Sequence, residues 1–509
     1  MALVMAIGIL TVLAISGTTA VVYSTAGARH SYLSRTRQIA STLADSGINN
    51  AVAVLNNTAN NALNPNLLPS TTRTYGGGTV TWSGTLDQSN GDWSITSTAT
   101  VASQTLAKRS ITLTKTAKVH VDGEVIQTLV NPVWNYMFST NTNTNGACDA
   151  SLASGSVVSS NIYIYGNLCL NNNATITGAN TEVDVRGVER MANSSEWIGT
   201  SGVPVKAVHI GGSCTVGSLN PTGGITHNPC KEGAYNGNSS GGDQIWANGH
   251  LDQTVPNISA PTIDWDSFYN NANPGPKYGC YMPKTSGSPQ NGQSSWATAF
   301  DGDTTRNHSI NTTFDLTPSS ANYDCWSDGG ELAWDSSLKK LTLNGTVFID
   351  GPAKVSCTLC YYQGRGTLFL SGSFYLGSSV KFCAKYNAGQ TDCDFSTGGW
   401  DPNAGPPNDH MIAIVSSYSN SGGGDQTGVS ANQSVMLAAN AHFQGALYAA
   451  NTLALSGSVS IQGPMVSGTI TFPGGGVNTY PFNINQVQSG LPGQSTNWAQ
   501  PGAPTNYSG

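Results

Sequence analysis

The chain has 509 residues, of which 10% are charged, with 59 glycines and a formal net charge of -7. A typical globular domain carries about a quarter charged residues, so this is the composition of an extracellular β-rich protein, long enough for two or three domains. No run of Lys or Arg interleaved with aromatics occurs, which excludes nucleic acid as a partner.

Residues 1–23 are apolar, and no charged residue precedes Arg29. That exceeds the roughly 20 residues a helix needs to cross a bilayer. Leu3, Val4, Ile7, Ile9, Leu10, Val12, Leu13 and Ile15 are the side chains expected to meet lipid or neighbouring helices. The helical pattern continues over 29–57, where Ile39, Leu43, Ala51 and Leu55 are spaced as one stripe, with Arg35, Arg37, Gln38 and Asp45 off it. A single helix over residues 2–57 is on the order of 80 Å long at about 1.5 Å per residue, so only part of it fits in lipid.

Ala2-Leu3-Val4-Met5-Ala6-Ile7-Gly8-Ile9-Leu10, with Ser24-Thr25-Ala26 and the later Leu43-Ala44-Asp45-Ser46-Gly47-Ile48-Asn49-Asn50-Ala51, resembles the N-terminal segment of PilX-type minor pilins of type IV pili. The resemblance covers about the first tenth of the chain. It implies a half-helix held in the membrane before assembly and then packed with other pilin subunits in a filament core, with the C-terminal part displayed at the cell surface. Major type IV pilins carry a glutamate where this chain has Met5, which argues against a filament-building major subunit. No charged leader ending in glycine precedes Met1, which is then either a mature N-terminus or a displaced start. The competing reading of the stretch is a secretory signal peptide cut after Ala26-Gly27-Ala28. Arg29, Arg35 and Arg37 favour a cytoplasmic C-terminal flank by the positive-inside rule.

After the helix segment, 1–60, the span 61–120 reads as a small antiparallel sheet. Gly78-Thr-Val-Thr-Trp82, Asp92-Trp-Ser-Ile-Thr-Ser-Thr-Ala-Thr-Val101 and Lys108-Arg-Ser-Ile-Thr-Leu-Thr-Lys115 alternate apolar and polar residues.

Over 121–482 a period-two pattern recurs around a central glycine. It appears around Gly166, Gly212, Gly345, Gly372 and Gly457, and around Ala439 in place of glycine. Offsets of 27 (Gly345 to Gly372) and 18 (Ala439 to Gly457) suit one turn of a right-handed parallel β-helix, a solenoid. The fold class expected is therefore mainly β, with a long N-terminal helix, a small sheet and a β-helix. The stretch from Gln444-Gly-Ala-Leu-Tyr448 to Phe472 is similar to the end of β-helical domains found behind PilX-type N-termini. An irregular insertion, about 215–338, interrupts the repeat, and 483–509 reads as a disordered polar tail.

Ten cysteines, all from Cys148 onward, favour disulfides in an oxidising compartment. Chain order suggests Cys148 with Cys169, Cys214 with Cys230, and Cys280 with Cys325. Cys357 and Cys383 lie 12 and 11 residues beyond Gly345 and Gly372, so they are expected at equivalent places on adjacent turns, favouring Cys357 with Cys383 and Cys360 with Cys393. Cys357-Thr-Leu-Cys360 has redox-motif spacing, but no thioredoxin-like βαβ pattern surrounds it.

Trp246, Trp265, Trp296, Trp326, Trp334 and Trp400 are candidates for contact with a surface glycan or protein ligand, since aromatics on loops suit such surfaces. Asp184, Asp350, Asp392 and Asp394 are the acids a glycosidase on this scaffold would need in pairs, and none falls in a clustered motif. Asp264 with Asp266 and Asp301 with Asp303 lack the third acid of a calcium loop. His209, His227, His250, His308, His410 and His442 are scattered, no two at metal-ligand spacing. The sequence thus calls for no catalytic residue, metal or cofactor. It reads as a minor pilin-like structural subunit with a possible adhesive tip role; the alternative is a secreted β-helical carbohydrate-binding protein or polysaccharide-degrading enzyme.

Overall fold

The computed structural model describes all of the chain except residues 58–61, 63–65, 88–90, 103–109, 122–125, 130, 143–144, 221–227, 231–243, 250, 264–280, 283, 286–287, 290–296, 299–313, 320–321, 328–329, 350–351, 397, 405–409, 418–428, 430–431, 489, 494–500 and 509. It forms two compact units, Met1–Asp122 with Gln500–Gly509, and Gly123–Ala499.

The first unit is helix α1 (Ala2–Leu55) and an antiparallel sheet of β1 (Thr71–Tyr75), β2 (Gly78–Asp87), β3 (Asp92–Ala102), β4 (Ser110–His120) and the strand Thr505–Ser508. Val80, Trp82, Trp93 and Ile95 are buried on the sheet face toward the helix, and Trp93 Nε1 donates to Ala62 O at 2.7 Å. The helix buries Thr36, Ala40, Ala44, Gly47, Ile48, Ala51 and Leu55. Ala51 and Leu55 of the expected stripe are thus buried, whereas at its start Ala40 and Ala44 take the places of Ile39 and Leu43, which are left half-buried at its edge. Small residues take the centre because the helix approaches the sheet closely. A Cβ on Gly47 would lie 2.2 Å from Ser97 Oγ and 2.8 Å from Val80 Cγ2. Asp45 and Lys115 close the edge of this contact at 2.8 Å.

The second unit is built from parallel ladders. In the first, Lys340–Ile349, Arg365–Leu370, Met411–Ser416, Ala446–Ser456 and Met465–Gly474 pair in succession. A second ladder runs through Ala353–Val355, Phe374–Leu376 and Gln433–Leu437, a third through Leu359–Gln363, Lys381–Cys383, His442–Gln444, Ser460–Gln462 and Asn478–Tyr480. The apolar residues of all three face one core, including Phe348, Phe369, Phe374, Phe382, Leu437, Leu447 and Ile461. Gly166, Gly212, Gly372 and Gly457 sit at bends between strands, whereas Gly345 lies inside the strand Lys340–Ile349.

Tier order is not chain order. Met465–Gly474 pairs on its far side with Met137–Ser139 and Ala150–Leu152, and Asn478–Tyr480 with Val157–Val158. The stack then continues through Ile162–Ile164, Glu182–Val185 and Ala207–Ile210. The last tier of the chain therefore lies between the two halves of the stack. The connecting chain runs back along it: Ile245 bridges Ile198 and Ala247 bridges Val205, after which Tyr163 and Tyr165 donate their hydroxyls to Pro256 O and Ile258 O at 2.5 and 2.6 Å.

Several expectations are corrected. Gly345 stands opposite Gly366, 21 residues on, so the 27-residue turn is not the register. An unrecognised tier, Val183-x-Val185-x-Gly187-x-Glu189-x-Met191, lies between those of Gly166 and Gly212; the polar Glu189 at an apolar position hid it. The insertion ends before 338, because Tyr323–Ser327 and Gly330–Asp335 form a hairpin on Lys340–Ile349. The tail from 483 is not wholly disordered: Gln486–Gln488 pairs with Ile126–Thr128 and Thr505–Ser508 with β4, anchored by buried Ile484, Val487 and Leu491.

Glu189 is fully buried, and neither carboxylate oxygen has a hydrogen-bond partner. Burial pushes its pKa well up, against the opposing pull of Arg190. The folded state therefore holds this proton where the unfolded chain, at about 4.3, has released it. Native protein binds more protons in that window, so the contribution is complete below pH ~4.3 and is lost as pH rises toward the folded pKa. We expect Glu189→Met to stabilise the protein at both pH values, by about 1–3 kcal/mol at pH 4, where the buried neutral carboxyl still lacks a hydrogen-bond partner, and by more at pH 7, where the proton must also be held. Thermal melts of both proteins at the two pH values check this.

Candidate functional site

The first half of α1 is the feature its own fold leaves unexplained. Residues 1–35 are exposed on every face, and Leu3, Val4, Ile9, Leu10, Val12, Leu13 and Ile15 are more open than Ile7, itself 55% exposed. Monomeric soluble proteins rarely show contiguous apolar surface of this extent. The polar side chains within it are turned inward on their own helix. Thr11 donates to Ile7 O, Ser16 to Val12 O, Thr19 to Ile15 O and Thr25 to Val21 O, at 2.7–2.8 Å. A helix whose hydroxyls at these positions are satisfied internally is suited to a medium without water. One helix in the described chain is long and apolar enough to cross a membrane, and it is this one.

The tryptophan candidates divide. Trp334 is buried and donates its Nε1 to Pro318 O at 2.8 Å, and Trp400 is buried and donates to His410 O at 2.7 Å; both build the core. Trp246 is half-buried, its backbone bridging Ile198 and Val205. Trp326 lies on the strand Tyr323–Ser327, and Trp265 and Trp296 fall outside the described residues, as do Asp264, Asp266, Asp301, Asp303 and Asp350. Of the described candidates, Trp400 lies against a groove of about 710 Å³ in the second unit, lined also by Asn180, Phe395, Asn403, Phe482 and Asn485 among others.

Three acid–histidine pairs among the described residues were not foreseen, one of them His120 Nδ1 with Asp92 at 2.7 Å in the first unit. His209 Nδ1 contacts the buried Asp184 at 2.6 Å, the two standing opposite each other in adjacent strands. Burial raises the Asp184 pKa against the lowering effect of His209. His442 contacts Asp392, which Lys381 approaches at 3.3 Å. Only the register, which brings residues 25 apart side by side, could have revealed the pair of His209 and Asp184. Among the described residues no group of three or more His, Cys, Asp or Glu could hold a metal ion.

The structure bonds Cys148 to Cys169, Cys214 to Cys230, and Cys383 to Cys393. The expected pairs of Cys357 with Cys383 and Cys360 with Cys393 are not formed: Cys357 and Cys360 are free. The register of this ladder explains this, since Tyr361 stands opposite Cys383, 22 residues on, and four places from Cys357. Cys393 instead returns through the bridge of Tyr386 to Cys393. Cys280 lies outside the described residues, and with it any pairing to Cys325.

No family model matches the chain, and no curated protein matches it. Among solved structures the competence-associated pilin ComZ from Thermus thermophilus aligns with a TM-score of 0.37 and 12% identity, covering 86% of this chain and 86% of that one.

Proposed function

We propose that this chain is a minor pilin-like subunit, held in the membrane by the first half of α1 before assembly and packed through it among other pilin subunits in a type IV pilus-like surface filament. One observation carries the reading: α1 is divided, residues 36–55 burying one face on its own sheet and residues 1–35 exposed throughout. A helix so divided keeps its apolar half for another surface, and lipid and like helices both supply one. Met5, exposed at 73%, puts no carboxylate into that surface, in keeping with a minor subunit. The ladders facing one core support a right-handed parallel β-helix as the displayed part. Its groove, edged by side-chain amides and aromatic rings, is the surface we assign to contact with a glycan, the adhesive role at a filament tip.

N-terminal mass spectrometry on material sheared from intact cells, beside material from the medium, tests the anchor. A chain retaining residues 1–28 in the sheared fraction is the expected result. A chain found only in the medium and starting at Arg29 would sink the reading and favour the secreted carbohydrate-binding alternative.

A further inference from the structure

Cys357 and Cys360 are unbonded, unlike the six cysteines of the three disulfides. They sit where the chain enters the third ladder, Cys357 on the bend before the strand Leu359–Gln363 and Cys360 on the strand. The two are not equivalent. Cys360 is fully buried, beside Phe382 on the next strand, while Cys357 is partly open to solvent. Cys360 Sγ donates to Cys357 O at 3.2 Å, folding the pair onto itself. The backbone N–H of Cys357 is held by Thr317 Oγ1 at 3.0 Å, and that of Ser356 by the same oxygen, so the bend is pinned from a neighbouring segment.

The electrostatics follow the same asymmetry. The Cys360 thiol beside it, then the Leu359 N–H and the Lys339 ammonium, draw the Cys357 thiol down, against burial and the Asp315 carboxylate. Burial pushes the Cys360 thiol well up. An accessible thiol disposed toward thiolate, with a buried partner three residues further along, is the chemistry of an attacking and a resolving cysteine. A disulfide lies close by: Cys383 stands opposite Tyr361, and the ring of Tyr386, which bridges Cys393, packs on that of Tyr361 at 6.5 Å.

We propose that Cys357 and Cys360 form a thiol–disulfide exchange site for small-molecule disulfides of the glutathione type. The Cys357 thiolate attacks one sulfur of the disulfide, forming a mixed disulfide and releasing one thiolate. Cys360 then gives up its proton and attacks the Cys357 sulfur, closing the Cys357–Cys360 bond and releasing the second thiolate. The pair is oxidised by two electrons and the small disulfide is reduced to two thiols. The site stands on the second unit alone and does not depend on the membrane role of α1.

The full chain, in detergent, is first mapped by timed alkylation with iodoacetamide. Cys357 is expected to react at least about tenfold faster than Cys360. Glutathione disulfide should convert the wild type to the Cys357–Cys360 disulfide with no glutathione retained. Cys360→Ser, and Cys360→Ala in case the serine is not tolerated in the core, should retain one glutathione on Cys357, and Cys357→Ser should retain none on Cys360. Equal alkylation of the two thiols, glutathione held on Cys360, or closure of Cys357 onto Cys383 or Cys393 would each overturn the proposal; the wild-type outcomes stand whether or not a variant folds.

Discussion

Replacing Leu10 and Leu13 together by aspartate will move the chain out of the membrane and sheared-filament fractions while leaving both β units folded. Neither side chain is buried on the protein's own sheet, so the folded units lose no packing. In a bilayer, each charge at mid-helix costs about 2.5–3.5 kcal/mol, and the pair about 5–7 kcal/mol. That is enough to reverse a partition that the wild-type leucines favour. Ala44→Asp places the same charge on the buried stripe and should do the opposite, loosening α1 from β2–β4 while keeping the apolar half. Immunoblots of membrane, sheared and soluble fractions, read beside the thermal melt, separate the two. Retention of the double variant in the membrane fraction would show that the exposed half is not what anchors the chain.

The second large effect concerns Ile470, fully buried with Leu453 opposite on one side and Ala150 on the other. In a solenoid stacked in chain order, residue 470 would lie near a free end and a charge there would fray that end. Here the tier is internal, so Ile470→Asp leaves an unpaired carboxylate in the middle of the core at a cost of several kcal/mol. Hydrogen exchange should report lost protection in Ala150–Leu152 and Thr175–Ile176 as well as in Ala446–Ser456. Loss confined to Ala446–Ser456 would contradict the stacking order. Ile470→Ala, a cavity with no charge, should cost about 2–5 kcal/mol with the same two-sided footprint.

How much of this was legible in the sequence depends on range. The apolar run to Val22 and the absence of charge before Arg29 are local facts, and α1 follows from them. Its docking stripe is legible at Ala51 and Leu55 but drawn to Ile39 and Leu43 where Ala40 and Ala44 pack, because hydrophobicity favours the larger side chains. The interface selects instead for size, and Gly47 against Ser97 leaves no room for more. Period-two alternation found the strands, since apolar residues must face one core. It could not find which strand lies on which, because any parallel tier presents the same alternation to any other. Only the fit of particular bends decides, so Gly345 was matched to Gly372 instead of Gly366, and the cysteines were misassigned along with it. Glu189 concealed a tier outright by putting a carboxylate where the pattern demands an aliphatic chain. Of the groove only Trp400 was legible, for a related reason: Asn180 and Phe482 line it together only through the order of tiers.

That order also governs when the protein can be finished. The hydroxyl of Ser139 donates to the carbonyl of Gly468, 329 positions away, and the strand Met137–Ser139 finds its second neighbour only there. At about 5–20 residues per second of synthesis, the wait is roughly 15–65 s. Contacts of such separation are the slow kind, and throughout the interval an open strand edge is available to any other chain. The growing chain thus carries its stickiest edge before it is complete, and that edge stays open until the strand ending at Gly474 has been made.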